Sequence, residues 1–295
     1  MISNQSPGKD ITPDDIVDKF PLAAKQNPEH LSTVQIAGST FGGSTIPLLC
    51  GPNMAESEDL IVNTAKFLKH HNVSFLRAGA FKPLSFPYRS NKYTETRELG
   101  LQFLDTAKKE TGIGIITEIM EIKHLEKISA VADILQIGAR NMQNYPLLVE
   151  CAKTGKPIML KRHFGASIRD LLGAAEYILY AGNPNLLLCE RGVSAPHTHR
   201  ATSRFLLDLQ SLPALKEVTH LPVIVDPSHA CFWRPWVSPL SAASIAVGAD
   251  GLMLEVHPDP PNAAVDPLQA ISFDEFDALL PTLQAIANAT NRAIA

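Results

Sequence analysis

One feature constrains this chain more than any other. From Ile46 to the C-terminus it repeats a short apolar run ending in polar or charged residues, followed by a longer amphipathic stretch. The apolar runs fall at 46–53, 73–81, 112–119, 132–139, 157–162, 185–191, 222–228 and 251–257, eight in all. Near-continuous apolar strands imply burial on both faces, and alternation with helices implies parallel pairing. Eight such units point to a closed (β/α)8 TIM barrel of the α/β class, with a doubly wound open sheet as the alternative. A barrel of roughly 250 residues nearly exhausts a chain of 295, so no second domain of regulatory size fits.

Local signals agree with this reading. Ser57 is a suitable N-cap ahead of Glu58 and Asp59, and Leu60, Ile61, Ala65 and Leu68 then fall on one helical face. Leu147, Leu148, Cys151 and Ala152 form another apolar stripe, stopped by Gly155. Residues 1–44 precede the rhythm and form an N-terminal extension, and residues 45–295 form the barrel. The extension carries Pro13, Pro21, Pro28 and most of the glycine-rich STFGGST at 39–45, which suggests a helix or extended segment and then a short hairpin or loop.

Charge excludes several partners. Lys and Arg number 26 against 30 Asp and Glu, a net charge of -4, so no overall basic field attracts nucleic acid or an anionic membrane. No apolar run approaches the ~18 residues of a membrane span, and the N-terminus lacks the basic and apolar regions of a signal peptide. Cys50, Cys151, Cys189 and Cys231 are widely spaced without a CxxC pair, which fits a reduced, cytoplasmic setting. The first three lie in apolar runs and read as core; Cys231 follows His229 by two residues and stays open.

A parallel barrel gathers the C-terminal ends of its strands on one rim, where active sites of this architecture lie. Those ends carry Arg77, Lys82, Arg140, Lys161, Arg162 and Arg191, with Glu190 among them. Like charges at about 4 Å repel by roughly 4 kcal/mol at an effective dielectric constant near 20, so a converging set calls for a small polyanion. Each cation alone reads equally well as solvated or paired with a carboxylate. A second group comprises His229, Glu255 and Asp266, with Asn53 beside them as a weak oxygen donor. A neutral imidazole and two carboxylates suit a divalent cation, but hydrogen-bonded loop residues explain them as well. His70, His71, His197 and His199 show no ligand spacing and read as surface.

The motifs at the strand ends are specific enough to name a family. They are GPNMAES from Gly51, RAGAFKP from Arg77, QIGARNMQN from Gln136, KPIMLKR from Lys156, LCERG from Leu188, LPVIVDPSHA from Leu221 and GADGLMLEVHPDP from Gly248. Over residues 46 to about 280 the chain resembles the type I-beta 3-deoxy-D-arabino-heptulosonate 7-phosphate (DAHP) synthases. More distantly it resembles the 3-deoxy-D-manno-octulosonate 8-phosphate (KDO8P) synthases. The resemblance implies a transferase of aromatic amino-acid biosynthesis, the shikimate pathway, which condenses phosphoenolpyruvate with an aldehyde and releases phosphate. It also implies a homo-oligomer. Arg140, Lys161 and Arg191 would hold the phosphate of phosphoenolpyruvate, Arg77 and Lys82 would face its carboxylate and reacting carbons, and Lys82 would handle a proton near the acceptor oxygen.

Two departures bear on chemistry. The family's metal quartet is Cys, His, Glu and Asp; His229, Glu255 and Asp266 match, but Asn53 stands where the Cys belongs. In the KDO8P branch an Asn here accompanies metal-independent catalysis. The expectation is therefore no metal or a weakly bound Mn, Zn or Fe, with His229 and Asp266 orienting water and the acceptor. At the acceptor end, the usual KPRTSP is Lys82-Pro83-Leu84-Ser85-Phe86-Pro87, Met54 replaces a Ser, and the loop after DPSHA reads Cys231-Phe232-Trp233-Arg234. Leu84, Ser85, Trp233 and Arg234 would face an acceptor whose phosphate has lost an Arg, and Arg89, Lys92, Arg200, Arg204 or Arg234 would be the replacement clamp. Erythrose 4-phosphate is the acceptor the resemblance implies; a less charged or aromatic carbonyl compound is the alternative. A catalytically silent barrel that binds phosphoenolpyruvate or regulates a partner is the alternative of another class, and a metal hydrolase fits the cations less well. Without an appended domain, insensitivity to Phe and Tyr is expected.

Overall fold

A computed structural model describes residues 13–81, 95–196, 199 and 205–295. Eight parallel strands close into a barrel: β1 (Leu48–Gly51), β2 (Phe75–Arg77), β3 (Gly114–Glu118), β4 (Ile134–Ile137), β5 (Ile158–Lys161), β6 (Leu186–Glu190), β7 (Val223–Val225) and β8 (Gly251–Glu255). Each lies inside one of the apolar runs, and β8 pairs with β1 through Leu252–Leu48 to Glu255–Gly51. The expected barrel is thus the observed one. Among the described residues, no helix is long and apolar enough to cross a membrane.

Side-chain alternation divides the core. Leu49, Phe75, Ile116, Ile134, Met159, Leu187, Cys189, Ile224 and Met253 fill the lumen, while their neighbours pack outward against the helices. The helix Glu58–His70 starts where expected, with the Ser57 hydroxyl accepting from Leu60 N, and buries Ile61, Ala65 and Leu68. Tyr145–Lys153 buries Leu147, Leu148, Cys151 and Ala152, and Gly155 follows at φ 68°.

The extension contains the helix Pro13–Lys19 and a hairpin, Val34–Ile36 against Ser39–Phe41, turned at Ala37 and Gly38, both with positive φ. Val34, Ile36 and Phe41 join the lumen cluster, so the hairpin stoppers the end of the barrel opposite the rim. Burying these three side chains there leaves the other rim as the open mouth.

Candidate active site

The alternation that fills the lumen also sets which charges face the mouth. Two residues beyond the lumen layer come Arg77 after Phe75, Glu118 after Ile116, Gln136 after Ile134, Lys161 after Met159, Arg191 after Cys189, Asp226 after Ile224 and Glu255 after Met253. Residues of the opposite phase turn away. Arg162 does so: its Nη1 pairs with Glu190 at 2.9 Å and Asp208 at 2.8 Å, and it leaves the set of rim cations. Burial raises the Glu190 carboxyl, against the pull of Arg162 and the Gly192 N–H.

Asp226 organises the centre. It is fully buried and precedes the short helix Pro227–Cys231, whose His229 N–H it caps at 3.1 Å. Its carboxylate also takes Lys161 Nζ at 2.5 Å and His229 Nδ1 at 2.9 Å. Burial alone would raise this carboxyl; His229 first, then Lys161 and Arg77, hold it well below the usual carboxylate range. His229 moves well below its ordinary value, first through burial and then through Lys161 and Arg77, so its imidazole is neutral. A carboxylate cannot donate and a guanidinium cannot accept, so the proton sits on Nδ1 and Nε2 turns its lone pair to Arg77 Nη2 at 3.4 Å.

Arg77 is buried, its Nε donating to Gln136 Oε1 at 3.2 Å while Gln136 passes a hydrogen bond to Glu118 at 3.3 Å. Among the described residues its Nη1 has no hydrogen-bond partner and no carboxylate pairs with it. Gly138 makes room for this chain: a Cβ there would stand 1.9 Å from Glu118 Oε1. Arg191 donates to the His229 carbonyl at 3.2 Å and lies over the Phe205 ring at 4.3 Å. Arg140 is exposed on the 3-10 turn Ala139–Asn141 beyond β4, and no hydrogen bond or ion pair among the described residues joins it to the others.

On the other side, Asn53 Nδ2 donates to Glu255 Oε2 at 3.2 Å and Asp266 Oδ2 at 2.8 Å. Gln269 Nε2 reaches the same Glu255 oxygen at 2.5 Å, and His229 Nε2 stands 3.7 Å from it. The Asn53 amide already occupies one oxygen of each carboxylate, and, being neutral, it would bring no thiolate charge toward holding a divalent ion. The donor set therefore does not fit a tightly held metal.

Seven expected residues, Asn53, Arg77, Lys161, Arg191, His229, Glu255 and Asp266, thus form one connected group. Trp233 precedes the helix Arg234–Ala246, and Arg234 donates through Nη2 to Pro267 O at 3.4 Å and through N to Leu268 O, bracing the Asp266 loop. Lys82, Leu84 and Ser85, with Arg89, Lys92, Arg200 and Arg204, lie outside the described residues. Gln136 and Gln269 escape sequence reasoning: Gln136 betrays itself only by sharing the phase of Ile134, and Gln269 has no local signal. The thiols are inert, since burial pushes Cys189 up to about 12 and Cys231 up to about 11.

Comparison with known proteins decides the family. The model of the DAHP synthetase I family matches residues 25–292. The chain belongs to the DAHP synthetase I family. A member from Thermotoga maritima, a phospho-2-dehydro-3-deoxyheptonate aldolase, is 36% identical over 274 residues, covering 93% of this chain and 79% of that protein. A truncated 3-deoxy-D-arabino-heptulosonate 7-phosphate synthase from the same organism superposes with a TM-score of 0.85 at 35% identity, over 94% of this chain and 100% of that one. A 2-dehydro-3-deoxyphosphooctonate aldolase from Syntrophotalea carbinolica is 30% identical, over 86% of this chain and 95% of that protein. As a family member the chain is an enzyme of the DAHP-synthase-like transferases.

Proposed function

We propose that this enzyme condenses phosphoenolpyruvate with an aldehyde, erythrose 4-phosphate being the acceptor favoured by its relatives. C3 of phosphoenolpyruvate attacks the carbonyl carbon, the carbonyl oxygen takes a proton, water adds at C2 and the C2–O bond to phosphate breaks. The observation that carries the reading is Arg77: a buried guanidinium held by neutral groups, with one nitrogen unpaired, is costly unless an anion completes it. Arg77 takes the carboxylate, Lys82 handles a proton near the acceptor oxygen, and Arg140, Lys161 and Arg191 take the phosphate and offset charge as it leaves. Neutral His229 and Asp266 orient the water and the acceptor. The homo-oligomeric state rests on the resemblance, and the cytoplasmic setting on the four widely spaced cysteines.

Phosphate release from phosphoenolpyruvate is expected with erythrose 4-phosphate present, absent without an aldehyde, and unchanged by a chelator. No release with any of several aldehydes would leave a silent binding barrel as the reading. Replacement of the acceptor by a less charged carbonyl compound is read in the same assay, as a higher kcat/KM for that compound.

The Asn53 amide supports a reaction that needs no tightly bound metal. Asn53→Cys would exchange the two N–H donors for a thiolate beside His229, Glu255 and Asp266, a set with the charge and softness that hold zinc or manganese. The variant is expected to retain about one equivalent of metal through gel filtration where the wild type retains none, as measured by metal analysis. Equal metal content in both proteins would count against this role of Asn53.

A further inference from the structure

We propose that Glu56 is a positioning residue that holds the Asp266 loop in its working shape, an inference that rests on the role given to Asp266 above. After β8 the chain leaves the barrel at Val256 and returns at Ile271, the two joined by a bridge and by His257 N donating to Ile271 O at 3.0 Å. Between them Asp266 adopts φ 51°, a left-handed backbone that costs a non-glycine residue and is disfavoured further by the following Pro267. Such a conformation persists only where neighbours impose it.

On the far side of Asp266 the loop is braced by Arg234 and by the Gln269 N–H to the Asp266 carbonyl at 3.2 Å. On the near side a single oxygen serves. Glu56 Oε1 accepts from Ala264 N at 2.9 Å, two residues before Asp266, and faces His257 Nε2 at 3.4 Å. His257 is buried, its Nδ1 accepts from Asp259 N at 3.0 Å, and its Nε2 packs beside Glu56 without a hydrogen bond to it. The Glu56 carboxylate therefore anchors the segment just ahead of Asp266, with the start of the loop packed beside it.

The support beneath Glu56 is rigid. Asn53, which holds the Asp266 carboxylate, lies three residues earlier in the same turn. That turn is stitched to β2's continuation by Gly79 N to Asn53 O at 3.0 Å and Ala55 N to Gly79 O at 2.9 Å. Asn53 fixes the Asp266 side chain and Glu56 fixes its backbone, both from one platform. Loss of Glu56 leaves phosphoenolpyruvate's cations untouched and frees the group on the acceptor side.

The test is steady-state phosphate release. Glu56→Ala is expected to lower kcat about 10- to 50-fold while KM for phosphoenolpyruvate stays within about twofold, since small misplacements are costly at the reacting atoms. Glu56→Gln keeps an acceptor for the Ala264 N–H and is expected to recover kcat to within about threefold of wild type. Ala264→Pro removes the donor instead; Ala263, at φ −54° and ψ 134°, already has the backbone that precedes proline, and kcat is expected to fall as in Glu56→Ala. This variant carries the comparison if Glu56→Ala does not fold. On an Asp266→Asn background Glu56→Ala is expected to cost less than about twofold, because the two act as a unit. A full multiplicative loss there, or wild-type kcat in Glu56→Ala, would overturn the proposal. Hydrogen exchange separates it from the functional reading: a faster Ala264 amide in Glu56→Ala than in wild type supports the latch, and equal exchange sinks it, even if no aldehyde yields phosphate.

Discussion

Arg77→Met is expected to lower kcat/KM for phosphoenolpyruvate about a thousandfold, roughly 4 kcal/mol of lost transition-state stabilisation, and to leave the protein at least as resistant to urea. Opposite signs follow from one fact. The guanidinium is buried, its hydrogen bonds go to Gln136 and His229, both neutral, and among the described residues its Nη1 has no hydrogen-bond partner. An unsatisfied buried donor costs about 1–3 kcal/mol, so an apolar side chain of similar length relieves the folded state while emptying the anion site. Arg77→Lys should rescue little, because an ammonium lacks the planar fork that Gln136 aims. Phosphate release and urea unfolding read the two effects. Near-wild-type kcat/KM would remove Arg77 from the site, and a large loss of stability would make it structural.

The barrel and most of the site were legible because both depend on short-period patterns. Eight apolar runs give eight strands, and each run's polar end lands on the rim. Telling Lys161 from Arg162, or Arg191 from Glu190, takes one further step. The lumen phase must be known, and β5 reads IMLK with every residue buried. In a strand covered on both faces, hydropathy does not show which residues point inward. Met159 inside then places Lys161 inside and turns Arg162 out to Glu190. Asn53 was legible as a departure from a motif, but not the direction of its amide, which the two carboxylates decide. Glu56 acts through a loop contact 208 residues away in sequence and Gln269 through one 14 residues away, and no local pattern encodes such meetings. The hairpin at 34–41 was readable as a turn; that its Phe41 plugs the lumen is tertiary.

The outward-facing pair gives the second large effect, on stability. Arg162→Met is expected to destabilise the protein by about 3–5 kcal/mol near neutral pH, because it strands Glu190 as a buried carboxylate beside Asp208. Gly192 N–H at 2.7 Å still supports Glu190, and the Met side chain recovers part of the packing, but neither replaces the positive charge. Burial already sets the folded glutamate value above its unfolded one, and loss of Arg162 raises it further. A group so raised favours the folded state fully below its unfolded value, near 4.5, and that contribution is lost as pH rises through the folded value. The gap between variant and wild type should therefore be widest at neutral pH and narrow as pH falls toward 5, where Glu190 in the variant takes up a proton. Urea unfolding at both pH values measures it. A gap that stays constant with pH would mean that lost packing of the arginine stem, not the stranded charge, sets the cost.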